Sequence, residues 1–216
     1  MSSRKLIFSI DGKPFSDYGL HVESCSGLLH IPKRKERLSN SDSQTHGKFY
    51  DIGAVAKYEE RIITLNCFIA ATSRLDFFSK VNAITGLFDG TGYHRLQAEL
   101  GTDIKLPFEV IRADGDKLEP TWNASKTVGY FKIQLVEPIP IKRVIIASGG
   151  VLGVSLTSEK LVTISWGNGT YDYDLTGAID VSKSLPAGTQ VVIMGDIEEI
   201  TNFNLSGGII KWDIWC

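Results

Sequence analysis

The stretch HGKFYDIGAVAKYEERIITLNCFIAATSRLDFFSKVN, residues 46–82, decides how the chain folds. From Arg61 to Ala70, Ile63, Leu65, Cys67 and Ile69 alternate with Ile62, Thr64, Asn66 and Phe68. That period of two, rich in β-branched residues, predicts a strand, and apolar atoms on both faces predict burial on both sides. The period then changes. Phe77, Phe78, Val81, Ile84, Leu87 and Phe88 recur at helical spacing and make one apolar face, which predicts a helix over 73–88. Ser73 is placed to cap it, with Asp76 at the third helical position, and Asp89-Gly90 ends it. A helix in this setting covers one face of a sheet.

Working towards the N-terminus, Leu6 to Ile10 reads as a short strand closed by the Asp11-Gly12 turn. Leu20 to Ser24 reads as a second strand that Gly27 to Pro32 can continue. Residues 33–52 differ in character: the basic run Lys33, Arg34, Lys35, Arg37 is followed by polar residues without period, then by His46, Lys48, Phe49 and Tyr50. Such a segment cannot bury a face, so it reads as a long arm, and loops of this length in compact domains are usually functional or disordered.

Towards the C-terminus, Tyr93 to Leu100, Ile104 to Arg112 and Gly129 to Val136 read as strands, the first two joined at Gly101-Thr102-Asp103. Pro107 suggests an edge or bulged strand, and Lys105 and Lys132 are the only edge defence. Glu137-Pro138-Ile139-Pro140 marks a boundary, because two prolines in three residues interrupt any ladder. Beyond it come short strands and glycine turns: Val144 to Ala147, Gly153 to Leu156, Leu161 to Trp166, Thr170 to Leu175, Gln190 to Met194, Ile197 to Phe203 and Ile209 to Ile214. Asn168-Gly169 sits between two β-rich runs as a hairpin signal. The expected fold is mainly β with one helix (α+β). An N-terminal β-sandwich domain, 1–138, carries the helix, and a small all-β domain, 141–216, follows.

Bulk composition excludes several functions. The chain has 216 residues, 43% hydrophobic and 22% charged, with a formal net charge of −2. That is an ordinary globular composition, without the basic surface that nucleic-acid binding by bulk charge requires. The three cysteines, Cys25, Cys67 and Cys216, are odd in number and widely spaced, so neither a disulfide framework nor a zinc site is expected. Cys67 reads as a small buried hydrophobe. No signal peptide or membrane-spanning run is expected, which favours assembly in the cytoplasm.

Chemistry is sparse. No phosphate-binding, dinucleotide, zinc-protease or hydrolase motif occurs, and His21, His30, His46 and His94 are scattered. Asp114, Asp116 and Glu119 are oxygen donors without the spacing of a calcium loop. Asp172 and Asp174 flank Tyr173 as a carboxylate pair, as alternation on a strand gives anyway. No set of nucleophile, base and orienter emerges, so neither an enzyme nor a cofactor is expected. Tyr171, Tyr173, Trp212 and Trp215 allow a sugar-stacking or protein-binding surface, with tryptophans serving a small β-core as the plainer reading.

The N-terminal pattern resembles a known family. Ile10-Asp11-Gly12, then Asp17-Tyr18-Gly19-Leu20, then an arm ending in Gly47-Lys48-Phe49-Tyr50-Asp51-Ile52-Gly53, precede the Arg-led strand Arg61-Ile62-Ile63-Thr64-Leu65. Over residues 1–140 this resembles the N-terminal belt domain of siphophage distal tail proteins. The resemblance implies a structural virion protein of a phage or prophage tail. It implies a homo-oligomer, a hexameric ring between tail tube and tail tip, with tail tube, tail tip and tape measure proteins as partners. The arm (Lys33, Arg34, Arg37, His46, Lys48, Phe49, Tyr50) would contact the neighbouring subunit. It also implies an outward β-sandwich that can bind glycan, here with Tyr171 and Tyr173 on its surface. Val162 to Thr170 in turn resembles the Trp-Gly-Asp-Gly-Thr strand and turn of polycystic-kidney-disease-like β-sandwiches, with Asn168 at the Asp position. The alternative is a bacterial surface glycan-binding or adhesion protein with two β-rich modules. An enzyme with two carboxylates, Asp172 with Asp174 or Asp114 with Glu119, is the third reading.

Overall fold

The computed structural model describes residues 6–37, 39–40, 46–88, 90–101, 104–113, 121–125 and 127–213. The expectations for Asp89, Thr102-Asp103, the candidate ligands Asp114, Asp116 and Glu119, Trp215, Cys216 and the middle of the arm lie outside the described residues. Among the described residues the protein is mainly β, with two large antiparallel sheets, a separate two-stranded pair and one α-helix.

The first sheet follows the path β2-β1-β7-β8-β10-β6-β3, with β9 beside β10. Its strands are β1 (Ile7–Ile10), β2 (Lys13–Pro14), β3 (Leu20–Ser26), β6 (Arg61–Ala70), β7 (His94–Leu100), β8 (Ile104–Arg112), β9 (Thr121–Trp122) and β10 (Val128–Glu137). β8 is the joint: it pairs with β7 from Ile104 to Val110, and with β10 only at Ile111 and Arg112. Its start is therefore free on one side, which accommodates the missing N–H of Pro107 although β8 lies inside the strand order. The two halves bury one core, with Phe8, Ile10, Leu96 and Phe108 from one and Ile63, Leu65, Ile69, Ile133 and Leu135 from the other.

Three expectations change here. β6 is buried on one face only; Ile62, on the other, is 54% exposed, because no element of the described chain covers that side. Residues 27–32 do not continue β3, since Gly27 turns the chain at φ +91° against the Ile62 carbonyl. Lys132 is on β10, paired with Asn66 of β6, and not on an outermost strand of the sheet.

The helix α1 (Arg74–Leu87) follows its capping signal. The Ser73 hydroxyl accepts the Asp76 N–H at 3.2 Å, and the Asp76 carboxylate accepts the Thr72 N–H at 2.9 Å. Phe77, Ile84 and Phe88 are buried against the first core. Phe78, one residue and about 100° further round, stays exposed.

The second sheet takes β11 (Lys142–Ala147), β12 (Gly150–Ser165), β13 (Tyr171–Leu185), β14 (Gln190–Gly195), β15 (Ile200–Ser206) and β16 (Gly208–Trp212). β12 pairs with β13 along one side and with β15 and β14 along the other, and β11 sits between β14 and β16. Two expected strands merge in β12, and β13 runs ten residues past the expected end at Leu175. The expected hairpin is present, with the Trp166 N–H donating to Thr170 O across Gly167-Asn168-Gly169. Trp166 is fully buried in a core of its own with Ile145, Leu152, Val154, Ile164 and Ile193.

Candidate functional site: an arm and a buried junction

The arm leaves the first sheet after β3 and returns at β6. Its two limbs zip at the root: Arg34 bridges Tyr58, the Lys35 N–H donates to Lys57 O, and the Glu59 N–H donates to Lys33 O. Further out, β4 (Ser39–Asn40) pairs with β5 (Phe49–Tyr50). The arm is thus a two-stranded ribbon at these points rather than a structureless loop. Asp51 shapes the return limb by accepting the Gly53 and Ala54 N–H groups.

Lys57 ties the root to the second sheet. Its ammonium donates to Glu198 at 2.9 Å and to Asp196, with Glu199 3.8 Å away. Burial works to lower the Lys57 pKa, but hydrogen bonds and charge from Asp196 and Glu198 outweigh it and raise it. The outer surface of the arm is apolar as well as basic. Leu29, Ile31, Tyr50, Ile52 and Val55 are exposed, Ile52 at 82%. Among the expected arm residues, Lys33 donates to Glu59 at 3.1 Å, Arg34, His46 and Lys48 are exposed, and Arg37 is half-buried. The Phe49 side chain lies outside the described residues.

The more unusual chemistry lies between the sheets. Arg61, Arg95, Glu109, Glu137 and Lys142 are all buried, three cations with two carboxylates. Lys142 donates to Glu137 and to Pro107 O, both at 2.6 Å, and its ammonium lies 4.4 Å from the Phe108 ring centre. Arg61 Nε lies 3.3 Å from Glu137, while Nη1 donates to Leu28 O. Burial pushes the Glu137 carboxyl up, against the pull of Lys142 and Arg61. Arg95 crosses from β7 to the second sheet: it donates to Glu109 at 2.6 Å, to Ser165 Oγ at 2.7 Å and to the Gln190 carbonyl. Tyr171 closes the circuit by donating to Glu109 at 2.7 Å.

Several sequence-selected residues therefore have work inside the fold. Tyr171 is half-buried at this junction, and only Tyr173, stacked on it at 5.3 Å, presents an exposed ring. Burial and Glu109 push the Tyr171 hydroxyl pKa up, so it stays a donor. Asp172 accepts the Trp166 indole N–H at 2.8 Å and is not half of a free pair with Asp174. Trp212 is partly buried against the first core. Cys67 is buried in that core, its thiol pushed up to about 12 by burial. Sequence reasoning missed the junction. Its one signal is register: Arg61 faces Glu137, and Arg95 faces Glu109, as cross-strand partners.

Among the described residues no cluster of three His, Cys, Asp or Glu is arranged to hold a metal ion, and no helix is long and apolar enough to cross a membrane. No family model and no curated protein matches the sequence. Among solved structures, the chain is similar to the SPP1 Dit protein, described as a paradigm of the hub adsorption apparatus in phages infecting Gram-positive bacteria. The identity is 9% over 96% of this chain and 85% of that one, with a TM-score of 0.48. It is also similar to a chain of the phage p2 baseplate in its activated conformation with strontium, at 7% identity over 97% and 96% of the two chains and a TM-score of 0.48. The p2 baseplate structure with calcium gives 7%, 98% and 96%, and 0.48.

Proposed function

We propose that this chain is a structural protein of a phage tail, a distal tail hub whose copies close into a hexameric ring between tail tube and tail tip. The observation that carries the reading is the arm: a ribbon held at its root by this chain, with Leu29, Ile31, Tyr50, Ile52 and Val55 exposed beside Arg34 and Lys48. An apolar surface of this kind marks a contact with another molecule. In a ring, one surface meets a different surface on the next copy and the rotation closes, so an arm on one side serves each neighbour once.

The belt-domain pattern over residues 1–140 supports the assignment, as does its order of parts, a β domain with one helix (1–138) followed by a smaller all-β domain (141–216). In this reading the ring contacts the tail tube, tail tip and tape measure proteins, belongs to the virion tail, is assembled in the host cytoplasm and performs no catalysis. The test is the solution mass of the full chain and of a variant lacking residues 39–45. The hexamer is expected for the first and a folded monomer for the second. An oligomer that survives the deletion would overturn the role of the arm.

A further inference from the structure

A polar cleft of about 430 Å³ opens between the two sheets, and neither the arm nor the ring reading uses it. Asp11, Tyr93, His94, Arg95 and Gln97 line it from the side of the first sheet, and Tyr171 from the second. Clefts of this size, with a few converging polar groups, are the usual form of small-ligand sites and favour junctions between packed units.

The charges around the cleft do not cancel. Among the described residues lining it, Arg95 is the one lysine or arginine, and its guanidinium is matched by the buried Glu109 carboxylate. The Asp11 carboxylate accepts the Arg95 backbone N–H and meets His94 Nδ1, both at 2.8 Å. A neutral imidazole supplies a hydrogen bond there and no charge. Burial raises the Asp11 carboxyl, but these hydrogen bonds hold it below its ordinary 3.8, so it is ionised at neutral pH. Its side chain is 44% exposed. A carboxylate offers about four lone-pair sites, and the two contacts leave about half of them open. Gln97 uses its Nε2 on Gln190, which leaves its Oε1 to accept. Tyr93 packs against Tyr171 and Tyr173, at 5.9 and 6.3 Å between ring centres, and gives the cleft an aromatic wall. A half-open carboxylate, an amide acceptor and tyrosine rings match a cation with several N–H donors.

We propose that the cleft lined by Asp11, Tyr93 and Gln97 binds a primary alkylammonium group, its N–H donors on Asp11 and Gln97 Oε1 and its methylenes against Tyr93. Asp11 is the discriminating group: a hydroxyl compound of the same length finds acceptors without gaining from the charge, and a carboxylate is repelled. A free polyamine and a lysine side chain of a partner protein carry the same chemistry, and the experiment separates these two sources.

The test is saturation-transfer NMR on the full chain at neutral pH, titrating butylammonium, putrescine and Nα-acetyl-lysine methylamide at millimolar concentration, with butanol and butyrate as controls. Butylammonium should show transfer, and the two controls should not. Tighter binding of putrescine assigns the cleft to a free polyamine, and tighter binding of the blocked lysine assigns it to a protein side chain. Asp11→Asn keeps an oxygen for the Arg95 N–H and removes the charge, so the ammonium should bind at least about tenfold more weakly. Tyr93→Leu keeps an apolar wall and removes the ring face, for a loss of roughly two- to fivefold. Asp180→Asn, at an exposed carboxylate on β13, should change nothing. Absence of transfer from all three ammonium compounds would overturn the proposal, as would equal transfer from butanol. So would an unchanged affinity in Asp11→Asn, its fold checked by circular dichroism. Should that variant not fold, an unchanged affinity in Tyr93→Leu would overturn it instead.

Discussion

Glu137 and Lys142 face each other across the proline connection, 2.6 Å apart, each 1% exposed. The charge of each is tolerable only because of the other. Taking a carboxylate and an ammonium out of water costs several kcal/mol per ion, and the pair is held by the Pro107 carbonyl, Arg61 and the Phe108 ring as well. The same crowding fixes how the second sheet leaves the first, since Lys142 opens β11 and Glu137 ends β10.

Breaking one side of this pair is therefore worse than removing both. Lys142→Met should destabilise the chain by about 3–5 kcal/mol, because Glu137 is left buried without its nearest cation. The double variant Lys142→Met with Glu137→Gln should lose less than the single one. Urea unfolding of the four proteins of this cycle measures the coupling. Additive losses would mean that the pair contributes nothing as a pair.

At the start of α1 the effect is local. Ser73→Ala removes the acceptor for the Asp76 N–H and should cost about 1 kcal/mol, seen as a lower urea midpoint with an unchanged slope.

Gly27 has a steric reason to be glycine. A Cβ there would stand 2.0 Å from the Ile62 carbonyl oxygen, at φ +91°. Gly27→Ala should cost more than about 1 kcal/mol and lower the thermal midpoint, because either β6 or the turn must move.

Asp11 gives a pH signature. Burial raises its carboxyl, but the hydrogen bonds from His94 and the Arg95 N–H prevail and hold it below the ordinary 3.8. A carboxyl depressed in the folded state contributes stability above its unfolded value and loses it as the pH falls through the folded one. Asp11→Asn should thus be less stable than the natural chain above about pH 5, with the gap closing below 3.8. Thermal midpoints across that range measure it. A gap independent of pH would place the effect in packing rather than charge.

The helix and the main strands are legible in the sequence because their signals are local. Ser73 and Asp76 sit next to the backbone groups they satisfy, and the alternation from Arg61 to Ala70 is a property of one strand. What was illegible depends on partners far along the chain. Period two with apolar residues on both faces cannot tell whether the second face is covered, and Ile62 is not. The second half of β13 is hidden because Gly177, Ala178, Asp180 and Ser182 look like loop, and only pairing with β12 makes them strand. The junction is hidden for a similar reason. Arg95 and Glu109 occupy strand positions that normally face water, and burial comes from the second sheet closing over them. The arm was legible as an excursion, but its zipped root rests on Arg34 and Tyr58, 24 positions apart with no shared pattern.

The most direct test of the account is light scattering after size exclusion, over a range of protein and salt concentrations, on the full chain and on the deletion of residues 39–45. A hexamer is expected for the full chain, and a monomer with an unchanged circular dichroism spectrum for the deletion. A full chain that stays monomeric at every concentration, or a deletion that keeps the mass of the full assembly, would contradict it.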